Sequence, residues 1–402
     1  MAKTKVSIVK TPPKPSYPEI RAAVEKALNL IGGVDDLFKP GKTVLLNPSW
    51  VAPPTETEKG CITQPEVTRA VADIVKEKGA RPIIAESAAV GVDTQKVIDG
   101  SGYKTLREMG YEIVDLKKTP TVMVSVPNGV IFQQIEVFKP VTEADVIVSI
   151  PKMKTHDQTE ITLSIKKLKG LLSDKFKRAM HQEGLFEGVI DLMSALKPKL
   201  AVVDGIYCQE GLGPIFGKPV EMDLILASRD LVAADAVSGL VMDFRPEEVL
   251  LTLKGASRGL GVYRPQEIEV VGEKVEKVKR RFMRSSEDIP VKVEGFNLIY
   301  GGVTCTGCRN TVLSALVDMK NADQLMYLPG VTVITGDPEI PPFAQTDRVV
   351  AVGKCVPEAK RGKYFVPGCP PNNAYVVQGI IGDRAKAKRM YGDGGDLDKE
   401  PQ

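Results

Sequence analysis

Four of the six cysteines in this chain lie in its last quarter, in three short segments. Cys305 and Cys308 are separated by two residues, Cys355 follows about fifty residues later, and Cys369 is followed by two prolines. Cysteine thiolates are the usual ligands of iron-sulfur clusters and are common ligands of tetrahedral zinc. The four cysteines therefore predict a metal centre, and their spacing alone does not distinguish a [4Fe-4S] cluster from zinc.

The elements around these cysteines predict that the three segments converge. The first pair falls at a predicted turn from a strand into a helix over 309–320. The third cysteine follows a predicted strand over 348–352, and the fourth precedes a predicted helix over 374–381. Neighbouring strand ends lie side by side in a parallel sheet, so we expect the three loops to meet at one edge of a small sheet.

A second group of reactive side chains follows a predicted strand over 144–150. Lys152, Lys154 and His156 alternate along the chain, which in an extended segment places them on one face. Ligands of open α/β sheets bind beyond the carboxyl ends of the strands. These three residues are our catalytic candidates, with His156 as the proton-transfer group and a ligand that carries phosphate or carboxylate groups.

A lysine-rich helix predicted over 162–172 extends the positive charge. Lys166, Lys167 and Lys169 lie on it, and we include Lys167 among the cofactor-binding candidates. The alternative is a solvated lysine-rich helix beside a histidine whose hydrogen bonds are satisfied in a turn.

Further residues follow predicted strand ends and are expected to line the same cleft. They are Asn47, Trp50, Glu86, Ser87, Asp204, Glu210, Gly211 and Gly213. The Gly-x-Gly-Pro segment at 211–214 offers backbone N–H groups to a phosphate, although a tight turn explains it equally well. Trp50 suits stacking on a flat cofactor, and a core position is its alternative.

The remaining cysteines and two aspartates have simpler interpretations. Cys61 and Cys208 stand alone in the sequence and are expected to be small buried hydrophobic residues. Asp230 and Asp235 are expected to cap and solvate the helix that follows them.

Composition describes the class of protein that carries these groups. The chain has 402 residues, of which 43% are apolar and 26% charged, enough for two or three packed cores. A net charge of +3 gives no reason to expect nucleic acid or an anionic membrane as a partner. Neither a signal peptide nor a membrane-spanning stretch is evident, so we expect a cytoplasmic protein, in which clustered cysteines bind metal.

The alternation of strands and helices predicts an α/β fold with parallel or mixed sheets and flanking helices. Early examples are strands over 43–46 and 82–85 and helices over 65–78 and 94–109. The predicted units are a body over 1–272 with lobes 1–140 and 141–272, a linker or surface hairpin over 273–294, a small flavodoxin-like α/β domain over 295–392, and a flexible tail over 393–402.

Residues 296–384 resemble the proximal-cluster domain of the small subunit of [NiFe]-hydrogenases and the related cluster subunit of respiratory complex I. The resemblance rests on Cys-Thr-Gly-Cys at 305–308, Gly-Lys-Cys at 353–355 and Pro-Gly-Cys-Pro-Pro at 367–371, in the same order. It implies a redox-active [4Fe-4S] cluster held by the four cysteines. The middle segment is shorter than in hydrogenases, so docking onto a hydrogenase large subunit is not implied. The alternative is zinc or a purely structural cluster.

Residues 6–271 resemble the family catalogued as domain of unknown function 362, which is common in anaerobic microbes. The shared segments include Val-Leu-Leu-Asn-Pro-Ser-Trp at 44–50, Ile-Pro-Lys-Met-Lys-Thr-His at 150–156 and Val-Val-Asp-Gly-Ile at 202–206. The layout is also similar to the nickel-pincer lactate racemases, in which a segment with lysine and histidine lines a cleft between two domains. This chain lacks the full His-rich sequence motif of that family, so the similarity implies neither nickel binding nor racemisation.

Together these features predict a [4Fe-4S] redox protein. Its cluster would pass electrons to an anionic substrate or an FMN-type flavin in the basic cleft, as an oxidoreductase or as a redox maturation factor for another enzyme. A ferredoxin-like protein is the expected electron partner, and a homodimer is compatible with the sequence. The alternative is a non-redox binding module or enzyme of lactate-racemase-like architecture, in which the cluster only braces the C-terminal domain.

Overall fold

The computed structural model describes residues 3–287 and 291–385. The predicted tail over 393–402 lies outside these residues. The described part has an α/β fold with one large mixed sheet, one small parallel sheet and flanking helices, as predicted. No helix in these two ranges is long and apolar enough to cross a membrane.

Twelve strands form the body of the protein within the described residues. They are β1 (Thr4–Lys10), β2 (Thr43–Pro48), β3 (Arg81–Glu86), β4 (Ile113–Asp115), β5 (Thr121–Ser125), β6 (Gln134–Phe138), β7 (Val146–Ile150), β8 (Lys152–His156), β9 (Glu160–Thr162), β10 (Leu200–Glu210), β11 (Lys218–Ser228) and β12 (Ile268–Gly272). Ten of them join one sheet in the order β12-β1-β11-β10-β7-β2-β3-β4, with β8 beside β10 and β9 beside β8, while β5 and β6 pair separately.

Apolar runs explain the centre of this sheet. All five residues of β7, Val-Ile-Val-Ser-Ile, are buried, and β7 pairs in parallel with both β2 and β10. Such nearly continuous apolar strands are typical of parallel sheets covered on both faces. The sheet joins β2 and β3 from the predicted first lobe to β7 and β10 from the second, so residue 140 does not mark an edge of the sheet.

Helices cover both faces of the large sheet and connect its strands. In the body they are α1 (Tyr17–Leu30), α2 (Pro65–Glu77), α3 (Thr94–Asp99), α4 (Tyr103–Glu108), α5 (Lys139–Glu143), α6 (Ser164–Lys167), α7 (Asp174–Glu183), α8 (Leu185–Leu196), α9 (Leu231–Val241), α10 (Leu250–Ser257) and α11 (Val275–Val278).

Two predicted helices differ from the structure. The helix expected over 94–109 is divided into α3 and α4, because the chain turns at Gly100 and Gly102. The helix expected over 162–172 is the single turn α6, followed by a 3-10 turn over Leu168–Leu171. Both predictions followed apolar periodicity and overestimated how far a regular helix continues.

The C-terminal part has its own sheet and core. Its strands are β13 (Phe296–Tyr300), β14 (Val331–Thr335), β15 (Arg348–Val352) and β16 (Tyr364–Val366), and its helices are α12 (Thr306–Asn321) and α13 (Asn373–Ile381). All neighbouring strands are parallel and follow one another in sequence order. The predicted flavodoxin-like strand order is corrected in this respect: successive strands of a flavodoxin sheet are added first on one side and then on the other, whereas these four are all added in one direction.

The segment predicted as a linker or surface hairpin over 273–294 contacts the body in its described part. The backbone N–H of Phe282 donates to the Met242 carbonyl at 3.1 Å, and the Phe282 side chain is 1% exposed. The N–H of Met283 donates to the Glu210 carboxylate at 3.0 Å. Residues 275–287 are therefore held against the body.

Candidate functional site

A cavity of about 250 Å³ lies where the body meets the C-terminal domain. The body contributes the ends of β3 and β8, the lysine-rich segment 166–170, and two residues of α7. The C-terminal domain contributes Ser314 and Asp318 from α12, and Asn372 to Ala374 at the start of α13. The wall of the cavity is thus completed by the domain that carries the four clustered cysteines.

Strand β8 holds the three catalytic candidates, and they have different surroundings. Lys154 lines the cavity, and its ammonium group donates to the backbone carbonyls of Cys61 and Pro214. Lys152 does not line the cavity, because its ammonium group lies 2.6 Å from the Asp204 carboxylate and both side chains are fully buried. This ion pair gives Lys152 a structural position inside the sheet.

His156 lies at the end of β8 and also lines the cavity. Its Nδ1 accepts the backbone N–H of Gln158 at 3.0 Å. The Asp157 carboxylate lies 2.7 Å from the same nitrogen and favours a charged ring. Burial and the charge of Lys166 outweigh this attraction and lower the pKa of His156 to about 4. At neutral pH the ring is therefore neutral.

A buried carboxylate fixes the start of the lysine-rich segment. Asp235 accepts the backbone N–H groups of Ser164 and Ile165 at 2.7 and 3.0 Å, which positions α6. Asp230 caps α9 by accepting the N–H of Ala233 at 3.0 Å. The prediction for Asp230 is confirmed, whereas Asp235 caps α6 rather than the helix that contains it.

Asn47, Glu86 and Lys167 form one buried hydrogen-bonded group. The Lys167 ammonium contacts the Glu86 carboxylate and donates to Asn47 Oδ1 at 2.9 Å, while Asn47 Nδ2 donates to Glu86 at 2.6 Å. Glu86 and Lys167 line the cavity, and Asn47 supports them from behind. Sequence reasoning named all three residues but did not predict that they are one another's partners.

Lysines make up most of the charged wall. Lys154, Lys166, Lys167, Lys169 and Lys177 all line the cavity. Burial lowers the pKa of Lys154 to about 7 and the pKa values of Lys166 and Lys177 to about 8. The alternative of a solvated lysine helix is wrong, because these side chains are buried or only partly exposed.

His181 and Lys177 belong to the cavity wall and were missed at the sequence level. Lys177 donates to Ser87 Oγ at 2.7 Å, and Lys169 Nζ lies 2.6 Å from His181 Nε2. The two missed residues are four apart on α7, a spacing that places them on one helix face. That spacing, together with the count of only two histidines in the chain, was the available signal.

Trp50 and Ser87 line the cavity as predicted, with structural contacts of their own. The Trp50 ring is fully buried and packs edge-on against Tyr103, with 4.9 Å between ring centroids. Ser87 Oγ donates to the Gly170 carbonyl at 2.7 Å, which ties the end of β3 to the lysine-rich segment.

Glu210, Gly211 and Gly213 do not line the cavity. The N–H of Gly211 donates to the Met283 carbonyl at 2.9 Å, and the N–H of Gly213 donates to the Gly211 carbonyl at 2.8 Å. A Cβ atom at Gly213 would lie 2.0 Å from the Thr155 carbonyl oxygen, so close backbone approach explains this glycine. The segment is a tight turn whose N–H groups are already used.

The four clustered cysteines lie on loops that approach one another. Cys305 and Cys308 are at the start of α12, Cys355 follows β15, and Cys369 precedes α13. The Cys308 side chain lowers the pKa of Cys305 to about 6, and the pKa of Cys308 is raised by Cys305, by burial and by the other two thiols. A Cβ atom at Gly353 would lie 2.7 Å from Cys308 Sγ.

These contacts are compatible with a four-cysteine centre. Cys308 is buried, Cys305 and Cys369 are partly buried, and Cys355 is exposed. Among residues 3–287 and 291–385, no three His, Cys, Asp or Glu side chains are already gathered as a metal-binding group. Four cysteine thiols are the donor type that holds a [4Fe-4S] cluster, and the cluster itself stays a prediction.

Direct hydrogen bonds join the cysteine loops to the cavity wall. The N–H of Cys369 donates to the His181 carbonyl at 2.9 Å. Gln158, which lines the cavity, donates through Nε2 to Thr311 Oγ1 at 2.7 Å and to the Pro371 carbonyl at 3.0 Å. One residue of the wall thus contacts both the cysteine helix α12 and the Cys369 loop.

Comparisons with known proteins identify one family, one curated relative and one solved structure that are similar to this chain. The family described as "Domain of unknown function (DUF362)" matches residues 44–239. The "Thylakoid-associated protein sll1697" of Synechocystis sp. (strain ATCC 27184 / PCC 6803 / Kazusa) is 32% identical over 235 residues, which cover 57% of this chain and 71% of that protein. The lactate racemase apoprotein from Thermoanaerobacterium thermosaccharolyticum is similar with a TM-score of 0.39 and 13% identity, over 95% of this chain and 91% of its own. This chain belongs to the DUF362 family.

Proposed function

We propose that this protein is an iron-sulfur redox protein that delivers electrons to an anionic substrate or cofactor bound in the lysine-lined cavity. The observation that carries the proposal is the contact between the cysteine loops and the cavity wall, through Cys369 to His181 and through Gln158 to Pro371. A redox centre on those loops would lie close to a ligand in the cavity.

The charge of the wall supports an anionic ligand. Five lysines line the cavity together with the acidic residues Glu86, Asp157 and Asp318. When all are ionised, positive charge exceeds negative charge by two. Because the site is largely buried, an anion there interacts with these charges more strongly than it would in water.

Individual residues have distinct roles in this mechanism. A [4Fe-4S] cluster held by Cys305, Cys308, Cys355 and Cys369 would supply single electrons. The lysines bind and orient the ligand, and Trp50 and Leu185 help to exclude water from it. His156, whose ring is neutral at pH 7, is placed to hydrogen-bond the ligand, and the Lys154 ammonium, with a pKa lowered to about 7, is the donor for a proton that accompanies reduction. An iron-sulfur carrier protein of the ferredoxin class would re-reduce the cluster.

Anaerobic purification of the full chain tests the redox centre. We expect about four iron and four sulfide per chain, in keeping with the four-cysteine donor set, and a visible absorbance that dithionite bleaches. Cys355→Ser should remove most of the iron, and because Cys355 is exposed this change disturbs no core packing. Cys208→Ala is the matched control, since Cys208 is buried in the body and should leave the iron content unchanged.

The outcome also separates the two functional classes. Full iron content in Cys355→Ser would contradict the assignment of the ligands. A centre that contains zinc, or that dithionite does not reduce, would refute the redox proposal and support the alternative in which the metal only braces the C-terminal domain.

A further inference from the structure

Three of the five cavity lysines have no carboxylate as a hydrogen-bonding partner. The Lys167 ammonium contacts Glu86, and the Lys177 ammonium lies 3.3 Å from Asp174. By contrast, Lys154 donates to backbone carbonyls, and Lys169 lies against the His181 ring. For Lys166, no hydrogen bond or ion pair is found with any residue of 3–287 or 291–385.

We call these three cavity-lining lysines, Lys154, Lys166 and Lys169, the ammonium cluster; the nearby Asp157 carboxylate offsets part of the positive charge of Lys166 and Lys169. Lys166 and Lys169 are three residues apart where α6 continues into a 3-10 turn, and side chains at that spacing share a face. The charge of Lys166 disfavours protonation of both Lys154 and Lys169, so it lies near both. Like charges held together in a poorly solvated wall destabilise the empty protein, and a bound anion would offset that cost.

The type of basic side chain in the cavity wall indicates which kind of anion the cavity binds. No arginine from the described residues lines the cavity. The planar arginine fork suits bidentate binding of a carboxylate, whereas lysine acts as a compact point charge and commonly binds phosphate. A phosphate monoester carries about −1.5 to −2 charges at neutral pH, so it gains more from a lysine-rich wall than a singly charged anion does.

The size and the apolar part of the wall limit the remainder of the ligand. The volume of about 250 Å³ is below the range of about 300–1,000 Å³ that is usual for drug-sized ligands. Trp50, Ala89 and Val92 supply an apolar surface for a short carbon skeleton.

We propose that the cavity binds a small organic phosphate monoester, with its phosphate group seated on the ammonium cluster and its carbon skeleton directed toward His156. The inference rests on the proposed function only in taking the cavity as the ligand site. It does not require the metal centre to be redox-active.

Calorimetric titration of the anaerobically purified full chain tests this inference with four probes at pH 7: glycerol 3-phosphate, inorganic phosphate, malonate and glycerol. We expect glycerol 3-phosphate to bind most tightly and inorganic phosphate to bind measurably. The dicarboxylate malonate should bind at least about tenfold more weakly than glycerol 3-phosphate, and glycerol should not bind.

Two variants locate the phosphate. Lys166→Gln should weaken binding of glycerol 3-phosphate by about tenfold or more, because it removes one full charge from the centre of the ammonium cluster. Lys175→Gln is the matched control, since Lys175 is an exposed lysine on α7 that does not line the cavity, and it should leave the affinity unchanged. Should Lys166→Gln fail to fold, Lys169→Gln provides the same test.

Three results would overturn the inference: malonate binding as tightly as glycerol 3-phosphate, no binding of either phosphate probe, or wild-type affinity in both lysine variants. Iron content and dithionite bleaching are measured on the same preparations. A reducible cluster without phosphate binding refutes the phosphate assignment alone, and phosphate binding without a reducible cluster refutes the redox proposal alone.

Discussion

Lys154 shows how burial can adapt an ordinary side chain to a binding site. Its ammonium group is 1% exposed and is held by two backbone carbonyls rather than by a carboxylate. Loss of solvation is the largest cause that lowers its pKa to about 7. Near neutral pH the group is therefore balanced between charged and neutral forms, and an anion beside it would favour the charged form.

The lowered pKa predicts how stability depends on pH. The unfolded chain holds the Lys154 proton up to about pH 10.4 and the folded chain only to about 7. Between these values the unfolded state binds more protons, so the contribution of Lys154 to folding stability rises with pH. We expect the melting temperature of the wild type to rise, relative to that of Lys154→Met, between pH 7 and 9 without ligand. If the melting temperatures of the two proteins changed by the same amount between pH 7 and 9, the lowered pKa of Lys154 would be contradicted.

At the residue level, the sequence predicted well which residues line the cavity. It predicted less well which side chains those residues form hydrogen bonds and ion pairs with. Lys154, His156, Glu86 and Lys167 line it because they lie in the carboxyl-terminal parts of β8 and β3 or in the lysine-rich segment beside them. Lys152 satisfied the same rule yet pairs with Asp204, a residue on a neighbouring strand. Its alternation along β8 was correct, but the choice of counter-ion depends on strand pairing that one sequence does not reveal.

At the element level, the turn from His156 to Glu160 connects the two halves of the site. Gln158 is 5% exposed and bonds to His156 through its backbone and to α12 and the Cys369 loop through its side chain. Strands with buried apolar runs, such as β7 and β15, were predicted because such runs have a clear signal. Short helices were not, because α6 is fixed by the distant Asp235 rather than by its own periodicity.

The hydrogen bonds of this turn predict that Gln158 positions the cysteine loops relative to the cavity. Gln158→Ala removes two side-chain hydrogen bonds and leaves buried partners on α12 and the Cys369 loop, at a cost of about 1–3 kcal/mol. We expect slower electron transfer from the reduced cluster to a bound ligand and a shifted cluster potential, while the affinity for glycerol 3-phosphate changes little. Rapid-mixing absorbance and potentiometry measure these quantities. Gln134→Ala, at an exposed site on β6, should change none of them, and a normal rate in Gln158→Ala would exclude the positioning role.

At the scale of the whole molecule, the cavity belongs to neither domain alone. Sequence periodicity predicted the α/β body and the separate small sheet, because each depends on local strand and helix signals. The contact between them depends on scattered side chains, such as Leu212 of the body packed with Leu313 and Val317 of α12. No single stretch of sequence encodes that contact, so the shared cavity became visible only in three dimensions.

Because both domains build the wall, ligand binding and cluster retention should be thermodynamically coupled. Ser314 and Asn372 line the cavity and lie within six residues of Cys308 and Cys369, so an occupied cavity should restrain the cysteine loops. We expect saturating glycerol 3-phosphate to slow the bleaching of the cluster by an iron chelator, and Lys166→Gln to lose this protection at the same ligand concentration. By linkage, removal of the cluster should weaken ligand binding by the same factor by which the ligand favours retention of the cluster at equilibrium. Identical bleaching rates with and without ligand would show that the cavity and the cysteine loops act independently, because a ligand protects only a state to which it binds more tightly.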